Sequence, residues 1–84
     1  MSNLKSLLSA QIRAARSLLR WSAEKLSKES SVSLRTIRRA ELMDAETSLT
    51  SANDAAIRRA LENAGVEFID ENGGGPGVRL RKRD

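Results

Sequence analysis

Apolar residues recur every three or four positions near the start of the chain. The repeat consists of Ile12, Ala15, Leu18 and Leu19, with arginines between its members. This period predicts an amphipathic helix over residues 9–21 that begins at Ser9, because serine is a favoured N-cap residue. Further leucines before Ser9 continue the apolar stripe, so a start near Asn3 is the alternative.

The next two segments share one arrangement: a serine, an apolar residue just before it, and another apolar residue four positions after it. The two triplets are Trp21, Ser22 and Leu26, then Val32, Ser33 and Ile37. A serine in this position caps a helix, and the apolar pair around it forms a hydrophobic staple. The pattern predicts short helices over residues 22–30 and 33–42. Two such helices joined by a tight turn form a helix-turn-helix.

A fourth amphipathic segment follows a polar connection. Its apolar stripe consists of Ile57, Ala60, Leu61 and Ala64. Ser51 and Asp54 have the spacing of a capping box, and Gly65 stands where glycine ends a helix. These features predict a helix within residues 50–65.

The apolar period changes to two after Gly65. Residues 66–70 alternate, residues 71–77 are rich in glycine, and residues 78–83 alternate again. This order predicts a β-hairpin with a long flexible loop. The loop is not typical of a phosphate-binding loop, because no Gly-Lys-Ser/Thr sequence follows and no helix begins after it. The basic end of the hairpin is either an arm for phosphate groups or a solubilising tail, and both remain open.

Charge is segregated along the chain. Residues 1–40 hold nine Lys/Arg and two Glu, a sum of +7, whereas residues 41–76 hold two Arg and eight Asp/Glu, a sum of −6. Residues 77–84 add +3. A chain with a cationic front and an anionic back favours a polyanionic partner. The alternative is a basic surface that is simply solvated.

The composition argues against several classes of protein. A chain of 84 residues is one small domain. It has no cysteine and no histidine, which removes disulfides, cysteine-based metal sites and the commonest general base. We therefore expect no enzyme activity, no cofactor and no metal site. There is no apolar run of membrane-spanning length and no secretory signal, which predicts a cytoplasmic protein without a membrane partner.

Three arginines of the third predicted helix have the spacing of one helix face. Arg35, Arg38 and Arg39 lie at i, i+3 and i+4, while Ile37 faces the core. In a helix-turn-helix the second helix lies in the major groove of DNA, where arginine donates two hydrogen bonds to guanine and also binds phosphates. A lone set of arginines is more often a solvated face, but here it coincides with two capped helices and a basic N-terminal half.

The residues QIRAARSLLRWSAEKLSKESSVSLRTIRRAE resemble the Cro/phage-repressor-type helix-turn-helix regulators, the XRE family. The continuation resembles small bacterial and prophage members that end in a hairpin, so the resemblance covers residues 9–82. It implies a mainly α fold, with a four- to five-helix Cro/repressor-like domain over residues 1–65. Residues 66–84 would then be a short C-terminal β-hairpin and basic tail. A two-stranded hairpin is marginal alone in water, so we expect its apolar positions to form a dimer interface. The alternative is that the hairpin folds back on its own helices.

The resemblance also implies individual roles. By position, Ser22 and Ala23 would contact the DNA backbone. Contacts to bases would come from Ser33, Leu34, Arg35 and Arg39. Thr36 and Arg38 would lie at the rim of the groove. A salt bridge is implied between Arg16 and Glu41. Ala23 and Ser31 depart from the family, which usually has Gln and Gly at these positions. A non-glycine residue at Ser31 costs about 1 kcal/mol if its φ is positive.

The function expected from this resemblance is a sequence-specific, DNA-binding transcriptional regulator, either a repressor or an autoregulator. Its partners would be double-stranded DNA and a second copy of the chain, in a bacterial or prophage setting at the nucleoid. The alternative is an antitoxin or another protein-interaction module that also binds its operator. Such a protein would be expected to carry a long wrapping C-terminal segment, whereas a short hairpin is predicted here.

Overall fold

The computed structural model of the chain describes residues 6–43, 46–70 and 73–82. More than half of these residues are helical, as the sequence predicts, and two short strands form an antiparallel sheet. The elements are α1 (Ser9–Leu19), α2 (Ala23–Ser30), α3 (Leu34–Leu42), α4 (Ser51–Asn63), β1 (Val66–Ile69) and β2 (Gly77–Leu80). The longest described helix has 13 residues, and none of the described helices could cross a bilayer.

One hydrophobic core holds the four helices and the sheet together. The largest side chains that lose all contact with solvent come from every helix: Ile12, Leu26, Ile37, Ile57 and Leu61. Each contributes about 1.5–3 kcal/mol through the apolar surface that it buries. Ile12, Ile57 and Leu61 belong to the predicted apolar stripes, and Leu26 and Ile37 to the predicted staples. Leu18 differs, because it was placed in the stripe of α1 but is 40% exposed.

The start of α1 differs from the prediction. Ser9 is the first helical residue rather than the cap, and Leu8 occupies the cap position, where its N–H donates to Gln11 Oε1 at 2.9 Å. The Ser9 hydroxyl is buried and donates to the carbonyl of Ala40 at 2.6 Å. Because Ser9 lies one residue inside the helix, its hydroxyl bonds α3 rather than the N-terminus of its own helix. Residues 6–8 are not helical, and the alternative start near Asn3 lies outside the described residues.

The end of α1 also comes earlier than predicted. The helix ends at Leu19, because Arg20 adopts a left-handed conformation with φ of 59°. The Trp21 N–H then donates to the carbonyl of Arg16 at 2.9 Å, which closes the helix end. Trp21 packs against the core.

The caps of α2 and α3 are confirmed. Ser22 Oγ accepts from the N–H of Lys25 at 3.0 Å, and Ser33 Oγ accepts from the N–H of Thr36 at 3.1 Å. Ser31 lies between the two helices with φ of 62°. Positive φ costs free energy at a residue other than glycine, so Ser31 meets the condition for the cost given in the sequence analysis.

The N-terminus of α4 differs from the predicted capping box. Thr50 is the cap, and its Oγ1 accepts from the N–H of Asn53 at 3.1 Å, whereas Ser51 is already helical. Asp54 Oδ2 accepts instead from the N–H of Leu7 at 2.8 Å, so it serves a distant segment rather than its own helix. The other end agrees with the prediction, since Gly65 follows the helix with φ of +112°.

The hairpin folds back on α1 and α4. Val66 pairs with Leu80, and Phe68 pairs with Val78. Val66 is buried in the core, and Phe68 and Val78 pack against it. β2 is shorter than the predicted alternation over 78–83, although the N–H of Arg81 still donates to the carbonyl of Gly65 at 2.6 Å.

Candidate nucleic-acid interface

The three arginines of α3 lie together on the surface. Arg35, Arg38 and Arg39 are all exposed, while Ile37 and Ala40 on the opposite side of the helix are fully buried. The burial of that opposite side fixes the rotation of α3, so the guanidinium groups are held toward solvent. The predicted cationic face is therefore present.

The arginines differ in their partners. Arg38 Nη2 lies 2.9 Å from Glu24 Oε2 of α2, an ion pair between two exposed side chains. Within the described residues, Arg35 and Arg39 form no ion pair with a carboxylate. A ligand that binds Arg35 or Arg39 would therefore displace no carboxylate of residues 6–43, 46–70 or 73–82.

The N-terminus of α3 is ordered by its own cap. Ser33 is exposed, and its hydroxyl accepts from the backbone N–H of Thr36 and donates to Thr36 Oγ1 at 2.8 Å. Thr36 is half-buried. Backbone N–H groups in the first turn of a helix have no partner within the helix, which gives this end of α3 a partial positive charge beside Arg35.

Apolar side chains lie beside the arginines and form an open groove with them. The six residues that line this open groove are Leu34, Arg35, Arg38, Arg39, Leu42 and Met43. Leu34, a predicted contact residue, is half-buried and packs partly against the core. Leu42 is 84% exposed and was not singled out from the sequence. Its position four residues after Arg38 would have placed it on the arginine face.

The start of α2 exposes Ser22 and Glu24 but not the side chain between them. Ser22 is exposed and caps the helix, but the Ala23 side chain is buried against the core at 8% exposure. The Ala23 side chain is therefore not in a position to contact a ligand. Glu24, which follows, is exposed and bonds Arg38, a contact that the sequence did not predict.

A salt bridge braces the far end of α3. Arg16 Nε and Nη2 donate to the two carboxylate oxygens of Glu41 at 2.7 and 2.8 Å, and Arg16 Nη1 donates to the carbonyl of Trp21 at 2.9 Å. This confirms the implied pair. The hydrogen bond with Glu41 raises the pKa of Arg16 above its usual value. Arg13 adds a bond to the backbone carbonyl of Glu41 at 2.5 Å, so α1 fixes the direction in which α3 projects.

The basic end of the hairpin is separate from this braced helix. Arg79 is bound to Glu67 of the neighbouring strand at 2.8 Å. Arg81 and Lys82 are exposed and line a different groove, together with Leu18 and Leu80. This part of the chain is therefore a second basic surface.

Comparison of the sequence with the models of known protein families gives no match, and no curated protein is significantly similar to it.

Proposed function

We propose that the chain is a DNA-binding transcriptional regulator of the Cro/phage-repressor type, a repressor or autoregulator. In this proposal α2, the turn at Ser31 and α3 form a helix-turn-helix, and α3 enters the major groove. The observation that carries the proposal is the face of three exposed arginines on a capped helix whose opposite face is buried. An α-helix fits the major groove, which is about 12 Å wide.

The partners of the arginines suggest a division of roles. Arg35 and Arg39 have no acidic partner within the described residues, and they lie one turn apart on α3. We assign them to base edges, where the guanidinium fork donates two hydrogen bonds to guanine. Arg38, which is bound to Glu24, is assigned with Thr36 to the phosphates at the groove rim.

The remaining contacts come from the helix N-termini and from one apolar side chain. Ser22 and the backbone of Ala23 lie at the start of α2, where free N–H groups bind phosphate. Ser33 lies at the start of α3, and Leu34 offers an apolar surface to thymine methyl groups.

We also propose that two copies bind together. One short helix reads few bases, and a two-fold dimer matches a palindromic site with half-sites about one helical turn apart. In the single chain the inner face of the hairpin already packs on its own helices. A dimer element within residues 66–84 would therefore use what stays exposed, above all Leu80, which is 47% exposed, with Leu18 at 40% nearby.

Selection of binding sites from a random duplex pool tests this function. The unchanged protein should enrich a defined sequence, and Arg35→Ala or Arg39→Ala should relax the preference at particular positions, each change costing about 1–3 kcal/mol. Arg59→Ala is the matched control, because it removes the same charge from an exposed position on α4. Failure of the unchanged protein to enrich any sequence would contradict the proposal.

A further inference from the structure

We infer that Glu24 is an internal competitor for DNA phosphate: it holds Arg38 in the free protein and so limits the sequence-independent part of DNA binding. This inference rests on the DNA-binding function proposed above. It concerns a residue of α2 that carries a charge of the same sign as the ligand and is bonded to one arginine of the face that the ligand would meet.

The contact joins the two helices of the proposed motif. Glu24 lies in the first turn of α2, and Arg38 lies in the middle of α3. Glu24 Oε2 accepts from Arg38 Nη2 at 2.9 Å, and the two side chains are 62% and 58% exposed. A phosphate group can therefore reach the Arg38 guanidinium from solvent. It would compete there with the Glu24 carboxylate, which already binds the same guanidinium.

The other charges nearby show that this pairing is selective. Glu29, the second acidic residue of α2, pairs with Lys25 of its own helix at 3.1 Å. In the part of the chain that the structure describes, Glu24 is thus the one carboxylate bonded to an exposed arginine of α3. Among the ion pairs of the described residues, Arg38 is the one of the three arginines that must exchange a partner before it binds DNA.

The pair contributes little to holding the fold. Ion pairs between exposed side chains add little to stability, and α2 and α3 are already joined through the buried side chains of Leu26 and Ile37. The structural alternative is that Glu24 serves only the dipole of its own helix, since an acid in the first turn is favourable there. The two alternatives predict different results when the charge of Glu24 is removed. DNA binding becomes tighter if Glu24 competes with phosphate, and it stays the same if Glu24 serves only its own helix.

Removal of the charge should free Arg38 for phosphate. Two opposite charges about 4 Å apart in water interact by an amount that corresponds to about a fivefold change in affinity. Each phosphate that a cation newly neutralises also steepens the dependence of log K on log salt by about 0.9. Base contacts by Arg35 and Arg39 should be unaffected, since Glu24 bonds neither of them.

The experiment compares Glu24→Gln with Glu29→Gln in the full chain, by fluorescence anisotropy on a random-sequence duplex at several salt concentrations. Both variants remove one charge from an exposed position on α2, and only the first removes a partner of Arg38. We expect Glu24→Gln to bind about fivefold more tightly with a steeper salt slope, and Glu29→Gln to change affinity less. In an Arg38→Gln background, the gain from Glu24→Gln should largely disappear. Thermal melts should show both glutamine variants folded.

Three results would overturn the inference. Equal affinities for the unchanged protein and Glu24→Gln would show that Glu24 does not compete with phosphate. A full gain that persists in the Arg38→Gln background would show direct repulsion rather than the holding of Arg38. A changed sequence preference in site selection would show that Glu24 positions Arg38 on a base. If the unchanged protein and every variant fail to bind the duplex at low salt, the proposed function itself fails, which is a separate outcome.

Discussion

Replacement of Glu41 by glutamine removes the charge that holds Arg16 between α1 and α3. The carboxylate accepts two hydrogen bonds from Arg16 in a forked geometry, and the Glu41 and Arg16 side chains are 10% and 23% exposed. The glutamine is nearly the same size, so the perturbation acts on charge and hydrogen bonding rather than on packing.

The expected loss lies between two limits. Removal of one partner from a fully buried ion pair costs about 3–5 kcal/mol, and an exposed pair contributes about 0–1 kcal/mol. Arg16 keeps its bond to the carbonyl of Trp21, and glutamine still offers one oxygen. We therefore expect the free energy of unfolding to fall by about 2 kcal/mol. For a domain of this size that corresponds to a melting temperature lower by roughly 10 °C.

Urea and thermal denaturation, followed by circular dichroism, measure this loss. Glu29→Gln is the matched control, because its exposed pair with Lys25 should contribute less than about 0.5 kcal/mol. A Glu41→Gln protein that unfolds at the same urea concentration as the unchanged protein would refute the reasoning, and it would show that the bridge is a minor surface contact.

Three further substitutions test other parts of the structure. Ser31→Gly should raise the free energy of unfolding by about 1 kcal/mol, because the residue has φ of 62°, and an unchanged urea midpoint would contradict this. Thr50→Ala should lower the free energy of unfolding by about 1 kcal/mol, whereas Ser51→Ala should change it little, because Thr50 caps α4. A larger loss for Ser51→Ala would show that Ser51 is the cap, as the sequence predicts. Leu80→Glu should convert the proposed dimer into a monomer by analytical ultracentrifugation while the circular dichroism spectrum stays that of the folded protein, because Leu80 is exposed in the single chain. A dimer that persists would place the interface elsewhere.

Local signals explain what the sequence predicted well. Ser22 and Ser33 cap their helices through atoms only three residues away, so residue type and spacing were sufficient. The same holds for the burial of Ile37, four residues after its cap, and for the positive φ of Gly65 after α4. The three exposed arginines followed from the same helical period.

Contacts between distant segments explain what the sequence missed. Ser9 was expected to cap α1, but its hydroxyl bonds a carbonyl 31 residues away. Asp54 was expected to complete a capping box with Ser51, but it bonds the N–H of Leu7, 47 residues earlier. The pairing of Glu24 with Arg38 depends on the angle of the turn between α2 and α3, which the spacing of charges does not determine. Tertiary contacts therefore redirected polar side chains that local rules had assigned to their own helices.

Backbone amide chemical shifts, recorded while a selected duplex is added to the labelled protein, test the central claim most directly. If α3 enters the major groove, the largest changes should fall on residues 33–39 and on the start of α2 at 22–24. Arg59 on α4 and the outward-facing pair of Glu67 and Arg79 should change little. Changes concentrated on residues 77–82 with α3 unaffected would contradict the account, and would assign DNA binding to the basic end of the hairpin.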